Sequence, residues 1–187
     1  LLGFSVLVID DNSPDGTGEI AERLKVTQSV IARTGTTKQS QLEVIHREKK
    51  MGLGTAYIQG FEWALQRDFD FIFTMDADFS HNPDCLPEFL TRMRRADFNL
   101  TIGSRYVKGG GNSMPIQRKI ISRLGNLYAK TILRIPINDC TSGFMGFSRK
   151  VLENINLDEV KSEGYGFLIE MKYRTYKLGC KILEYPI

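Results

Sequence analysis

The sequence predicts an α/β fold, a mostly parallel central sheet with helices on both faces, and three observations carry that prediction. Short apolar runs rich in Val, Ile and Phe alternate with stretches of helical period. Acidic or glycine-containing loops follow those runs, and a length of 187 residues suits a single domain covering residues 1–187. Hydrophobic residues make up 42% of the chain and charged residues 25%, which argues against a disordered or fibrous protein. The net charge of +3 is too small to argue for nucleic-acid binding. Cys85, Cys140 and Cys180 are widely spaced and lack a CxxC pair, which speaks against a disulfide framework or zinc site and for a reducing compartment.

Taken in order, Phe4 to Ile9 reads as a wholly apolar strand of the kind buried on both faces of a parallel sheet. It runs into the turn-rich string Asp10-Asp11-Asn12-Ser13-Pro14-Asp15-Gly16-Thr17, after which Ile20, Leu24, Val30 and Ile31 mark a helix. Leu42 to His46 is a second strand, followed by a Gly52-Leu53-Gly54 loop and a helix carrying Ala56, Phe61, Ala64 and Leu65, with Trp63 assigned to the core. Phe71 to Met75 is a third strand, ending in Asp76-Ala77-Asp78, and Pro83 opens a helix with Leu86, Phe89, Leu90 and Met93. Asn99 to Gly103 is a fourth strand, Lys108 to Ser113 a mobile loop, and Met145 to Ser148 a further strand-like segment. No stretch is long and apolar enough to span a bilayer, and no secretory signal pattern is present.

In such sheets ligands gather at the carboxyl ends of the strands, where both acidic clusters fall. If the chain stays extended past the third strand, Asp76 and Asp78 point to one side and share a cation, with Ser80 offering another oxygen. Their hard oxygens suit Mg2+ or Mn2+, whose other positions a diphosphate and water would fill; acids at a strand end also simply cap a following helix, and the pair alone allows either role. Asp10 and Asp11 can accept from a nucleobase N–H or a ribose hydroxyl, or belong only to a turn. Arg105 offers a planar fork to a phosphate, or is a surface arginine. From Ile116 to Leu133 a helix sets Ile120, Leu124, Leu127 and Tyr128 on one side and Arg118, Lys119, Arg123 and Lys130 elsewhere, a pattern shared by membrane-surface helices and core-facing helices alike. His46 and His81 have no partner at metal or triad spacing.

Six strings together carry a resemblance: Asp10 to Thr17, Gly52 to Tyr57, Met75 to His81, Gly103 to Tyr106, Asp139 to Phe144 and Ser162 to Phe167. In this order and spacing the chain resembles the polyprenyl- and dolichyl-phosphate mannosyltransferases, inverting glycosyltransferases of family 2 with the GT-A fold. The resemblance implies transfer of mannose from GDP-mannose to a polyprenyl or dolichyl phosphate with a divalent metal, Mg2+ or Mn2+. It implies that Asp10 and Asp11 hold the donor base and ribose, and that Asp76, Asp78 and Ser80 meet the metal. Arg105 and Arg118 would contact the lipid phosphate, Asp139 and Glu170 would line the sugar and acceptor side, and catalysis would fall to Asp76, Asp78, Arg105 and Asp139. It implies peripheral membrane contact or a membrane subunit, at the cytoplasmic face of the plasma membrane or endoplasmic reticulum.

Relatives begin with an additional strand bearing a Pro-x-Tyr-Asn-Glu-like string and continue past the final strand, so the chain is expected to lack both of these. Leu168 stands where a Gln is frequent. Two rivals follow from the same residues: a UDP-sugar donor such as UDP-glucose, and a nucleotide-binding or scaffold module without turnover.

Overall fold

The computed structural model describes residues 4–32, 41–111 and 116–187, with the side chains of residues 26–32, Ile116, Arg118 and Lys119 outside the description. Val30, Ile31 and Arg118 of the sequence reading therefore carry no side-chain account, and the loop expected at Lys108 to Ser113 is described only as far as Gly111. The chain divides into two compact units, Leu1–Ala56 and Tyr57–Ile187.

In the first unit, strand β1 (Val6–Asp10) leads through a turn into helix α1 (Thr17–Ala32), and β2 (Leu42–His46) pairs parallel to β1 with Asp10 opposite His46. The turn closes because Asp15 accepts from both the amide and the hydroxyl of Thr17, at 3.0 and 2.6 Å, a local bond that starts the helix. Helix α2 (Leu53–Leu65) begins at the end of this unit and continues into the next.

The second unit holds β3 (Phe71–Thr74), a 3-10 turn at Pro83–Cys85, α3 (Leu86–Ala96), β4 (Leu100–Ser104), α4 (Ile116–Leu133), β5 (Met145–Ser148), α5 (Arg149–Asn154), α6 (Tyr165–Lys177) and β6 (Ile182–Pro186). Its sheet has the order β3-β5-β4-β6, with β4 and β6 parallel and β5 antiparallel to both neighbours. The mostly parallel course expected holds for β3, β4 and β6, and β5 alone runs against them, because the chain re-enters the sheet from the edge where β3 and β4 end. There Gly103 N donates to Phe144 O at 2.8 Å and the Thr74 hydroxyl to Gly143 O at 2.7 Å, so β5 must start where its neighbours stop. Phe61, Leu100, Ile102, Met145, Phe147, Phe167 and Met171 form the core between sheet and helices. Trp63 was assigned to this core but is only half-buried: it stacks on Phe69, and the Arg67 guanidinium lies 3.8 Å from its ring centroid.

Ahead of β5 the segment Asn138 to Phe144 is mostly buried yet has no regular ladder, so side chains satisfy its backbone. Glu184 on β6 accepts from the amides of Asn138 and Asp139, both at 2.9 Å, and from the Ser104 hydroxyl at 2.8 Å. Asn126 accepts from Cys140 N at 2.6 Å. Lys172 on α6 is fully buried, and its Nζ donates to Ser142 O at 2.7 Å, Cys140 O at 3.0 Å and Leu168 O at 3.4 Å. Desolvation pushes Lys172 down to about 8.

Lys172→Met removes the donor from these buried carbonyls and is expected to destabilise the fold by about 2–4 kcal/mol in urea unfolding. Because the folded pKa is depressed, between pH 8 and the unfolded value of 10.5 the unfolded chain holds more protons than the folded one. The Lys172 contribution therefore becomes more favourable as pH rises through that window. Wild-type stability, measured against Lys172→Met at each pH, should climb across it.

Candidate active site

The loop after β3 is built from turns. β3 stops at Thr74, residues 77–81 bend, and Phe79 takes a left-handed φ of 62°. The extended geometry expected for Asp76 and Asp78 is therefore not what the chain adopts. Two local bonds fold it instead: Ser80 N donates to Asp78 Oδ1 at 3.0 Å, and Asp76 N donates to His81 Nδ1 at 3.1 Å. Hydrogen bonding from Ser80 holds the Asp78 carboxyl below its usual range, so it is an anion at neutral pH. Asp78 and Ser80 are both exposed.

Asp76 is held on several sides. The Tyr57 hydroxyl donates to its Oδ1 at 3.2 Å, and burial raises the Tyr57 pKa, so the phenol keeps its proton. Gly143 lies against the carboxylate: a Cβ built there would stand 3.1 and 3.2 Å from the two Asp76 oxygens and 2.8 Å from the Tyr57 hydroxyl. This is why the turn ahead of β5 carries a glycine at that point. His81 stacks on Phe144, with centroids 5.0 Å apart and planes at 17°. Burial lowers the His81 pKa against the charges of Asp76 and Asp78, while Arg105 and Asp139 act on it as well, so these residues all lie within electrostatic reach of one imidazole.

Asp139 is wholly buried, and Arg105 grips it with Nε to Oδ2 and Nη2 to Oδ1, both at 2.8 Å, while Arg105 N donates to Oδ2 at 3.1 Å. Burial opposes ionisation of Asp139, but the Arg105 bonds outweigh it and keep its carboxyl below the usual range. Beyond Arg105 a groove of about 340 Å³ is lined by nine residues, among them Arg105, Tyr106, Arg123, Asn126, Lys130 and Asn138. Three of the nine are cationic, which suits an anion.

Glu170 accepts from Arg174 Nε at 2.8 Å and Ser162 N at 3.2 Å, anchoring the loop that leads into α6. In the first unit Asp10 is buried, accepts from Ser13 N at 3.3 Å and lies 3.7 Å from His46 Nδ1. Hydrogen bonding from Ser13 lowers its pKa despite burial. Asp11 is paired with Arg47, a buried arginine that also donates to the Thr55 hydroxyl at 2.7 Å and to Gly52 O at 3.3 Å.

Arg47, Tyr57, Lys172 and Glu184 were given no role from sequence, and His81, read there as without a partner, meets Asp76. A signal existed for Tyr57 and His81, which end the strings Gly52 to Tyr57 and Met75 to His81. The other three declare themselves only through contacts distant in the chain. Among the described residues no group of three or more His, Cys, Asp or Glu is arranged to hold a metal. Asp76, Asp78 and the Ser80 hydroxyl are hard oxygen donors of the kind a divalent cation takes when its other ligands come from a substrate.

Residues 2–155 match the family model described as glycosyl transferase family 2. The chain belongs to that family. It is 44% identical over 183 residues to undecaprenyl-phosphate mannosyltransferase of Micrococcus luteus, covering 97% of this chain and 70% of that protein. It is 39% identical over 183 residues to polyprenol monophosphomannose synthase of Mycolicibacterium smegmatis, covering 97% of this chain and 65% of that one. Among solved structures it is similar in fold to glucosyl-3-phosphoglycerate synthase from Mycobacterium tuberculosis in complex with Mn2+, UDP and glucosyl-3-phosphoglycerate. The TM-score is 0.57 at 19% identity, over 96% of this chain and 57% of that one. As a family 2 glycosyltransferase the chain has the GT-A architecture anticipated from its strings.

Gly143→Ala should displace the Asp76 carboxylate and lower kcat/KM at least about tenfold, because the new methyl stands closer to both oxygens than ordinary packing allows. Steady-state kinetics with circular dichroism as the folding control checks this.

Proposed function

We propose that this chain is the catalytic domain of a polyprenyl-phosphate mannosyltransferase that moves mannose from GDP-mannose to a lipid monophosphate with inversion. The observation that carries the reading is the buried segment Asn138 to Phe144, which grips Arg105 at the head of the cationic groove through Asp139 and lies against the Asp76 carboxylate at Gly143. Two relatives with high identity are named for polyprenyl-phosphate mannosyl transfer, which supports the choice of sugar and acceptor.

A lipid monophosphate is already anionic near neutral pH, so it attacks the anomeric carbon without a strong general base. Its oxygen bonds to that carbon as the bond to the nucleoside diphosphate breaks, and GDP leaves from the opposite face. Arg105 and Arg123 hold the incoming phosphate, with Arg118 assigned to the same task by its place in the family pattern. Asp139 acts through Arg105, fixing the guanidinium plane while offsetting its charge, so the net positive charge of the groove comes from Arg123 and Lys130. Asp10 and Asp11 receive the donor base and ribose. Glu170 supports the acceptor side through the Ser162 loop. Asp76, Asp78 and Ser80 would hold Mg2+ or Mn2+, which when bound neutralises charge on the departing diphosphate.

Helix α4 supplies the acceptor's surroundings. Its inward residues are Asn126 and Ala129, both buried, whereas Ile120, Ile121, Leu124, Leu127, Tyr128 and Ile132 are each more than half exposed. Of the two roles its pattern allows, this arrangement favours the membrane surface. In this reading the apolar face lies along the lipid, Arg123 and Lys130 border it at headgroup level, and the chain works at the cytoplasmic face of a membrane. Among the described residues no helix is long and apolar enough to cross a membrane.

In a thermal-shift titration with Mn2+, GDP and GDP-mannose should raise Tm, and Asp78→Ala should abolish the metal-dependent part with the fold intact. Stabilisation by UDP-glucose alone would replace the donor, and stabilisation without turnover in the full-length protein would favour a binding module. In co-sedimentation with phosphatidylglycerol vesicles, Ile121→Glu combined with Leu124→Glu should weaken binding at least about tenfold, since each buried apolar side chain contributes on the order of 1.5–3 kcal/mol. Unchanged binding would remove α4 from the membrane contact.

A further inference from the structure

Asp76 is fixed by Tyr57 on its carboxylate and by the close approach of Gly143. A third restraint comes from His81, a side chain 8% exposed that belongs to neither the acids nor the arginines of the site. The bond from Asp76 N to His81 Nδ1 decides the state of the ring. A nitrogen that accepts an amide hydrogen carries none of its own, so the ring proton sits on Nε2, which faces Asp76 Oδ2 at 4.0 Å. With one nitrogen occupied by the amide and the other protonated, the imidazole offers no lone pair to a cation.

What it does offer is attachment. The ring lies nearly parallel to Phe144, and Phe144 is itself fully buried and packed on Phe89 with centroids 4.8 Å apart. Phe144 directly follows Gly143. One imidazole therefore ties the loop that bears the two carboxylates to the turn that cradles one of them, with 61 residues of sequence between His81 and Gly143. Without that tie the loop keeps the Tyr57 bond to the Asp76 carboxylate and the short bond from Ser80 N to Asp78, and its backbone amide at Asp76 loses its acceptor.

We propose that His81 is a positioning residue, which by accepting the Asp76 amide hydrogen at Nδ1 while stacked on Phe144 preorganises the Asp76 carboxylate for a divalent cation it does not touch. This rests on the reading of Asp76 as a metal ligand. A group that orients a ligand from outside the coordination sphere alters affinity without altering the donor set.

Two substitutions of like chemistry and different reach separate this role from a purely structural one. The Asn oxygen stands as many bonds from the backbone as Nδ1, so His81→Asn keeps the acceptor; the Gln oxygen stands one bond further, at the level of Nε2, so His81→Gln does not. Both lose the stack on Phe144. Mn2+ binding, followed by electron paramagnetic resonance with GDP and in a second series with UDP, should stay within about threefold of wild type for His81→Asn and weaken about tenfold or more for His81→Gln. Equal losses would assign His81 to its stack alone and overturn the proposal, as would no loss in either. Wild-type protein that binds Mn2+ in neither series would overturn the metal reading and this proposal with it. Nitrogen-15 spectra of the unmutated protein, which has only His46 and His81, give an answer independent of the folding of any variant. They should show His81 protonated at Nε2, and a proton at Nδ1 would overturn the proposal.

Discussion

Burying an irregular piece of backbone is the constraint on which the second unit depends. The segment Asn138 to Phe144 enters the sheet edge without strand pairing, and each unpaired amide or carbonyl there would cost about 1–3 kcal/mol. Side chains from several elements meet that demand: Glu184 from β6, Asn126 from α4, Lys172 from α6 and Thr74 from β3. Once satisfied, the segment is rigid, and its two functional features follow. Asp139 is held where Arg105 must face it, and Gly143 is held where the Asp76 carboxylate fits against it.

Rigidity here serves electrostatics. A guanidinium tied twice to a buried carboxylate has little rotational freedom left, so its remaining N–H donors are presented in one direction and little reorganisation is needed when an anion arrives. The same economy governs the acidic loop. Tyr57 and His81 restrain Asp76, whereas Asp78 and Ser80 stay exposed to meet whatever enters. The site thus sets fixed groups against the sheet edge and leaves the groups that face solvent to be completed by substrate.

Helix α4 shows how far a helical pattern reads and where it stops. Its apolar residues recur at helical spacing, a signal that a core-facing helix and a surface-seeking one share. Only packing separates the two: Asn126 and Ala129 turn inward and the large side chains outward. The reason is local. Asn126 accepts from Cys140 N, Lys130 donates to Asn138 and Ser122 accepts from Tyr106, and together these bonds fix which side of the helix faces the protein.

Local chemistry made the elements legible. The runs Phe4 to Ile9, Phe71 to Met75 and Asn99 to Gly103 became the strands Val6–Asp10, Phe71–Thr74 and Leu100–Ser104, Pro83 opened a helical turn, Asp10 ended its strand, and Asp76 and Asp78 followed theirs. The family strings led to the GT-A fold because they combine many weak local signals in one order. Tertiary structure alone decided the direction of β5, the turned rather than extended course of Asp76 to Asp78, the pairing of Asp139 with Arg105 and the tasks of Lys172, Glu184 and His81. Each of these joins residues by a hydrogen bond or a stack whose partner is set by the packing of the chain, and hydrophobic period and local propensity carry no record of which distant carbonyl or ring a side chain will meet.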